Sequence, residues 1–97
     1  MLIREIDKQK LQAIFSTLPA TIEVWAYGSR VNGNAHSGSD LDLVLRQTDH
    51  NKIEDETMAG IREQIQESTI PILVEVRDWA VLPESFKKQI DLRKERF

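Results

Sequence analysis

Apolar residues recur along this chain in two kinds of pattern, one with the spacing of a helix and one that alternates as in a strand. Helical spacing is found over residues 6–18, over 48–68 and from about Pro83 onward. Alternation is found over residues 21–28, 40–45 and 72–79. The resulting order (helix, strand, loop, strand, helix, strand, helix) is typical of a small α/β or α+β domain. We therefore predict three strands, with helices covering one face of the sheet.

The first helical pattern places five apolar residues on one side of a helix and ends before a proline. These residues are Ile6, Leu11, Ile14, Phe15 and Leu18. Pro19 cannot continue a helix, because it lacks a backbone N–H and its ring clashes with the preceding turn. We expect this stripe to pack against the sheet.

The first two predicted strands separate an apolar face from a face that carries acids. The apolar face consists of Ile22, Val24, Ala26, Leu41, Leu43 and Leu45. The opposite face includes Glu23, Tyr27, Asp40 and Asp42, and we expect Glu75 of the third strand beside them. Charged side chains are rarely buried unless they are paired or bind a metal, so acids at this place indicate a function.

The composition is that of a small folded protein. The chain has 97 residues, of which 40% are hydrophobic and 30% are charged, and we expect one domain over residues 1–97. The lack of cysteine excludes disulfides and cysteine-ligated zinc and fits a reducing cytoplasm. The sequence shows no pattern of a signal peptide and no apolar run of about 20 residues. We therefore predict a cytoplasmic protein without a membrane partner.

The charge of the chain bears on the class of partner. Proteins that grip nucleic acid through its phosphates usually present a basic surface. Because the net charge here is -3, we predict no strong nucleic-acid binding by the isolated chain. If phosphate binds, a cation has to supply the positive charge.

A segment rich in Asn, Gly and Ser, residues 29–39, connects the first two strands and is predicted to be a loop. If those strands are antiparallel neighbours, Gly28 and Ser29 lie beside Asp40. Backbone amides in such a turn can form a concave nest for phosphate oxygens. The Ser29 hydroxyl and the Arg30 guanidinium would add donors, and Ser39 completes the predicted nucleotide-binding residues.

Two aspartates at the start of the second strand are candidate metal ligands. Asp40 and Asp42 are two positions apart, so they project from the same face and can hold one or two divalent cations. Two metals about 4 Å apart can stabilise the attacking and leaving oxygens of a phosphoryl displacement. Glu75 is the predicted third carboxylate, which would hold the metal near the attacking hydroxyl or accept its proton, and Asp78 is the reserve candidate.

The motif formed by Gly28-Ser29, ten further residues and Asp40-Leu41-Asp42 resembles a known signature. It is similar to the G-S, ten residues, D-x-D pattern of the nucleotidyltransferase superfamily that includes DNA polymerase beta. The fuller run "YGSRVNGNAHSGSDLDLVL" resembles the minimal nucleotidyltransferases, which are single-domain proteins of about this size. The match in detail is confined to residues 26–45 and to the strand around Glu75.

The resemblance implies a nucleotidyltransferase fold with a mixed sheet. It also implies Mg²⁺ at Asp40 and Asp42, and the phosphates of ATP or another nucleoside triphosphate at Gly28 and Ser29. The implied reaction transfers a nucleoside monophosphate to an acceptor hydroxyl. Many members of the family are encoded beside a HEPN-type protein as antitoxin and toxin, so we expect such a partner and a homo- or hetero-oligomer. The family usually has aspartate at the position of Glu75 and often has arginines near Asn32 and His36.

Several of these features also have a simpler interpretation. Gly28-Ser29 alone is most often a strand-ending turn. Glu75 could form a surface ion pair with Arg77, and Arg30 could be a solvated loop charge. Trp25 and Tyr27 could stack on a base, but aromatic residues in strands more often pack in a core or an interface.

Three functional hypotheses follow. The first is an Mg²⁺-dependent nucleotidyltransferase that acts as the antitoxin of a toxin-antitoxin pair. The second is a non-catalytic antitoxin or binding subunit that neutralises its partner by complex formation. The third is one subunit of a two-chain transferase, in which another protein supplies the surfaces that bind the base and the acceptor.

Overall fold

The computed structural model describes residues 2–33 and 38–97, and its long helices and strands follow the predicted order. Along the chain, the elements are α1 (Glu5–Phe15), β1 (Ile22–Tyr27), α2 (Ser29–Asn32), β2 (Leu41–Gln47), α3 (Asp55–Gln66), β3 (Val74–Asp78), a 3-10 helix (Trp79–Val81), α4 (Glu84–Leu92) and β4 (Glu95–Arg96). The short elements α2 and β4 and the 3-10 helix add to the predicted set. Within the described residues, no helix combines the length and the apolar character needed to cross a membrane.

The strands form one sheet in the order β3-β2-β1-β4. β1 is antiparallel to both of its neighbours, β2 and β4, whereas β2 and β3 run parallel. The α/β class and the mixed sheet are therefore confirmed. The antiparallel pairing of β1 with β2, on which the position of the predicted site depends, is confirmed as well.

The number of strands differs from the prediction, because residues 95–96 form a fourth strand in place of a helical turn. α4 ends at Leu92, since Arg93 has an extended backbone with φ -152° and ψ 95°. Glu95 and Arg96 then pair with β1, and the N–H of Phe97 donates to the carbonyl of Val24 over 2.9 Å. A strand of two residues is too short to show alternation, so the sequence carries no signal for it.

One face of the sheet packs against α1 and α3 and forms the larger core. Its buried residues are Leu11, Phe15, Val24, Ala26, Leu41, Leu43, Leu45, Ile53, Met58, Ile61 and Val76. The apolar alternation predicted for β1 and β2 is thus confirmed. In α1 the predicted stripe is wrong at Ile6, which is 51% exposed, whereas Asp7 is buried. The reason is geometric: positions 7, 11, 14 and 15 share one side of the helix, and position 6 lies beside that side.

The opposite face of the sheet is partly covered by α4 and the 3-10 helix. A second buried cluster consists of Tyr27, Val44, Trp79 and Ile90, with Trp25, Leu82 and Phe86 packed against it. Because Val44 alternates with Leu43 and Leu45 along β2, the two clusters lie on opposite sides of the sheet. The prediction that helices cover one face of the sheet is therefore correct for α1 and α3. α4 lies on the opposite face. Tyr27 is a core residue and Trp25 packs against that core, in agreement with their simpler interpretation.

Candidate active site

Asp42 and Glu75 lie side by side on neighbouring strands. In the parallel register of β2 and β3 they are direct partners. Both project away from the larger core, because Leu41 and Leu43 beside Asp42 point into it. Their side chains are 25% and 39% exposed, respectively. The fold thus brings together two predicted catalytic residues that are far apart in sequence.

Asp40 immediately precedes β2 and is exposed. It is near enough for its charge to act on the carboxyl of Asp42. In the described part of the chain, however, no three His, Cys, Asp or Glu side chains are grouped closely enough to hold a metal ion. Of the three predicted metal ligands, Asp42 and Glu75 therefore form a pair, and Asp40 stands next to that pair without converging on it.

Gly28 links β1 to α2 and lies against the carboxylate of Asp42. Its backbone has φ 82° and ψ -158°, a conformation that is essentially restricted to glycine. A Cβ at this position would stand 2.6 Å from Oδ2 of Asp42, which is closer than a Cβ atom comes to a non-bonded neighbour. The positive φ at position 28 requires glycine, and the turn brings the backbone of Gly28 to the carboxylate.

Ser29 is the first residue of α2. The segment predicted as a loop, residues 29–39, therefore begins with a short helix, which ends at Asn32 and is followed by Gly33 with φ 87°. The helix is closed by local hydrogen bonds, since the N–H groups of Val31 and Asn32 both donate to the carbonyl of Gly28 over 3.0 Å. The apolar pattern of the sequence does not reveal such backbone bonds, so this helix could not be predicted from it. Residues 34–37 of the segment, including His36, lie outside the described residues.

Arg30 is buried and crosslinks three parts of the chain. Its Nη1 donates to the carbonyl of Leu2 over 2.6 Å. Its Nε and Nη2 donate to the carbonyl of Ser39 over 3.0 and 2.8 Å. These bonds give Arg30 a structural role, and its predicted contact with phosphate, like that of Ser39, stays a prediction. By holding Ser39, the guanidinium positions the start of β2 and hence the two aspartates that follow.

Arg77 stands between the two paired carboxylates. Its Nη2 lies 2.7 Å from Oε2 of Glu75, and its Nη1 lies 3.7 Å from Oδ1 of Asp42. Nη1 also donates to the hydroxyl of Tyr27 over 2.9 Å. The pair with Glu75 had been predicted as an alternative role for that residue. The approach to Asp42 could not be predicted, because it depends on the register of two strands that are distant in sequence.

Burial governs the electrostatics of the site. It raises the pKa of the Asp42 carboxyl above the ordinary 3.8, and the charges of Glu75 and Asp40 add to this rise, whereas Arg77 opposes it. Burial also raises the pKa of the Tyr27 phenol, against the effect of the hydrogen bond from Arg77. Carboxylates that are partly withdrawn from water attract a cation. Because carboxylate oxygens are the hard donors that Mg²⁺ prefers, the pair fits a divalent cation by its chemistry.

Asp78, the reserve candidate, belongs to the interior. It alternates with Arg77 along β3 and so faces the other way, and it is 5% exposed. Its Oδ2 accepts from the N–H of Ile53 over 2.9 Å, and its Oδ1 accepts from the N–H of Ala80 over 3.1 Å. Asp78 therefore begins the 3-10 helix and anchors the segment before α3.

A pocket of about 330 Å³ opens beside Gly28. It is lined by Tyr27, Gly28, Asn32, Phe86, Gln89, Ile90 and Arg93. Aromatic and apolar walls with a few polar groups are typical of sites for small molecules, and this volume is near the lower end of their range. This pocket could not be predicted from the sequence, because its walls come from β1, α2 and α4.

The chain was compared with known proteins. A family model described as polymerase beta, nucleotidyltransferase matches residues 9–96. The chain is 34% identical over 80 residues to the "Probable protein adenylyltransferase MntA" of Haemophilus influenzae, an alignment that covers 82% of this chain and 68% of the relative. It also resembles a solved structure described as "Crystal structure of the toxin-antitoxin with AMP-PNP", with a TM-score of 0.72. That likeness covers 93% of this chain and 71% of the other at 13% identity, so it shows the fold alone.

The family match runs from α1 to β4 and includes the glycine turn and the paired carboxylates. The match to the adenylyltransferase relative agrees with it. The chain therefore belongs to the polymerase beta nucleotidyltransferase family and is a nucleotidyltransferase.

Proposed function

We propose that this protein transfers AMP from ATP to a hydroxyl group of a partner protein, in a reaction that depends on Mg²⁺. The observation that carries the proposal is the contact of the Gly28 turn with Asp42, itself the strand partner of Glu75. The backbone at Gly28, which is suited to bind phosphate, lies next to the carboxylates of Asp42 and Glu75, which are suited to bind a metal. A metal ion between them would join the triphosphate to the protein.

In the proposed reaction, the acceptor oxygen attacks the α-phosphorus of ATP. A phosphorus–oxygen bond to the acceptor forms, the bond to the β-phosphate bridge breaks, and pyrophosphate leaves. Asp42 and Glu75, with Asp40 beside them, would hold one or two Mg²⁺ ions, and bound Mg²⁺ would neutralise charge on the phosphates and the leaving group. The backbone at Gly28 and Ser29 would orient the phosphates, and Glu75 would also accept the proton of the attacking hydroxyl.

A protein acceptor is supported by the relative, which is described as a probable protein adenylyltransferase. The structural neighbour is described as a toxin-antitoxin with AMP-PNP, an analogue of ATP. These matches support a role as antitoxin. The resemblance of the signature motif suggests a HEPN-type partner, and the lack of cysteine fits the cytoplasm. The pocket beside Gly28 is small for a whole nucleotide. We therefore expect residues 1–97 to form one domain and the partner chain to complete the substrate cleft.

A non-catalytic antitoxin remains the second candidate function. It is favoured by one observation, the position of Arg77 between the two carboxylates where a metal would bind. In that case the site would be vestigial, and the protein would neutralise its partner by complex formation alone.

The first test is titration calorimetry of the chain with ATP, with and without Mg²⁺. Wild type is compared with Asp40→Asn/Asp42→Asn and with the control Asp49→Asn/Asp55→Asn, which removes two exposed carboxylates outside the site. We expect wild type and control to bind ATP only with Mg²⁺, and the Asp40/Asp42 variant not to bind. Equal binding by all three proteins would contradict the proposed site.

The second test separates catalysis from silent binding. The chain is incubated with α-labelled ATP, Mg²⁺ and the protein encoded next to it, and label on that protein is measured together with released pyrophosphate. Asp42→Asn should reduce labelling about 100-fold or more, because it removes stabilisation that acts in the transition state. If this variant neutralises the partner as well as wild type does, the non-catalytic role is correct and the transferase role is not.

A further inference from the structure

Four residues surround the guanidinium of Arg77. Two are the carboxylates of Glu75 and Asp42, at 2.7 and 3.7 Å. The other two are aromatic: the Tyr27 hydroxyl accepts a hydrogen bond of 2.9 Å, and the centre of the Phe86 ring lies 5.8 Å from Cζ. An ordinary surface ion pair does not have this second set of contacts.

The aromatic pair fixes the position of the guanidinium. Tyr27 is 7% exposed, and its ring meets Phe86 edge to face at a centroid distance of 5.9 Å. A cation over an aromatic face is stabilised by the ring quadrupole, and the hydroxyl sets the direction of Nη1. Arg77 is thus held at the carboxylates by a packed part of the protein and not by the acids alone.

We propose that Arg77 is a positioning residue that occupies the place of a divalent cation between Asp42 and Glu75 and thereby sets the metal affinity of the site. The inference rests on the proposed function, because it takes the two carboxylates to be metal ligands. A guanidinium and a divalent cation in contact with the same two carboxylates repel each other at short range. Metal binding therefore requires Arg77 to leave Glu75, which lowers the affinity for the metal alone.

The consequence is an order of binding. Without nucleotide, Arg77 neutralises part of the charge on the carboxylates and the metal binds weakly. A metal ion that arrives with a triphosphate has phosphate oxygens as additional ligands, and these offset the loss of the contact between Arg77 and Glu75. The site then takes up the metal together with the nucleotide.

The test measures the affinity for Mn²⁺ alone, from the free Mn²⁺ signal in electron paramagnetic resonance, in wild type, Arg77→Gln and Arg77→Lys. We expect Arg77→Gln to bind Mn²⁺ about 1.5- to fivefold more tightly, the range for loss of a partly exposed ion pair, and Arg77→Lys to stay near wild type. The matched control is Arg46→Gln. Arg46 lies on the same sheet face and pairs with Glu23 at 2.9 Å, away from Asp42 and Glu75.

Unchanged or weaker Mn²⁺ binding by Arg77→Gln would overturn the inference, as would equal tightening in Arg46→Gln. If neither wild type nor variant binds Mn²⁺ even with ATP, the proposed function fails as well. If Mn²⁺ binds in the presence of ATP but Arg77→Gln does not change the Mn²⁺ affinity, the inference about Arg77 is wrong and the proposed function stands.

A measurement on wild type covers the case in which Arg77→Gln does not fold. The Nε–H resonance of Arg77 is followed by NMR while Mg²⁺ and ATP are added, and Arg46 serves as the internal reference. We expect the Arg77 signal to shift as the contact with Glu75 opens. A signal that does not move while the Asp42 signals report metal binding would overturn the inference.

Discussion

The α-carbon of Gly28 lies so close to the carboxylate of Asp42 that a Cβ on residue 28 would stand 2.6 Å from Oδ2. Gly28→Ala should therefore damage the site and the fold together. Adding a side chain at φ 82° costs about 1–3 kcal/mol of unfolding free energy, and Asp42 has to move away from its place beside Glu75. We expect loss of Mg²⁺-dependent ATP binding in calorimetry and a lower midpoint in denaturant.

The control for this change is Gly60→Ala. Gly60 lies within α3, and a Cβ there meets nothing within 4 Å. Alanine in a helix is favoured over glycine by about 0.5–1 kcal/mol, so this variant should be slightly more stable and should bind ATP as wild type does. Equal ATP binding by Gly28→Ala would show that the turn does not belong to the nucleotide site.

Glu75 and Asp78 should respond to substitution in opposite ways. Glu75→Gln removes a partly exposed carboxylate of the candidate site, so we expect weaker Mg²⁺-dependent ATP binding and little change in stability. Asp78→Ala leaves the buried N–H of Ile53 without its acceptor, which costs about 1–3 kcal/mol of unfolding free energy. Calorimetry and chemical denaturation of both variants check this pair. Loss of ATP binding by folded Asp78→Ala, with Glu75→Gln unaffected, would reverse the two roles.

Arg30 should matter for stability more than for phosphate. Arg30→Gln removes charged donors from the carbonyls of Leu2 and Ser39, and we expect a loss of about 2 kcal/mol of unfolding free energy. The control Arg62→Gln removes a similar contact, to the carbonyl of Val76, from an exposed residue and should cost less. A tenfold fall in the ATP affinity of Arg30→Gln with unchanged stability would instead support the predicted contact between Arg30 and phosphate.

Asp7 should contribute to stability above acidic pH. Hydrogen bonds from Arg4, at 2.8 and 3.0 Å, hold the pKa of this buried carboxyl below the ordinary 3.8. A carboxyl with a lowered pKa in the folded state stabilises the fold above its unfolded pKa, and this contribution is lost as the pH falls through the folded value. Asp7→Asn should therefore be less stable than wild type at about pH 7, and the difference should shrink towards about pH 2.

Denaturation midpoints over that pH range provide the measurement. Glu5→Gln is the matched control, because Glu5 is an exposed acid in the same first turn of α1. It should change stability by a few tenths of a kcal/mol at most, through the helix dipole. A gap between Asp7→Asn and wild type that stays constant with pH would contradict the assigned cause.

Local pattern alone determined the main elements of this protein and the position of its signature. The alternation of Leu41, Leu43 and Leu45 with Asp42 showed which side of β2 is core, because neighbouring side chains on a strand point to opposite faces whatever the rest of the chain does. The spacing from Gly28 to Asp42 likewise indicated the family before any contact was known. These features depend on residues close together in sequence, so they can be read without the fold.

Only the tertiary structure decided what surrounds those residues. The parallel register of β2 and β3 sets Glu75 opposite Asp42 and brings Arg77 between them. The packing of α4 sets Phe86 against the buried Tyr27 beside that arginine, and the pairing of distant segments buries Arg30 against the carbonyls of Leu2 and Ser39. Register and burial arise from pairings between distant segments, whose energy depends on the whole packed molecule. The periodicity of a single segment carries no information about them.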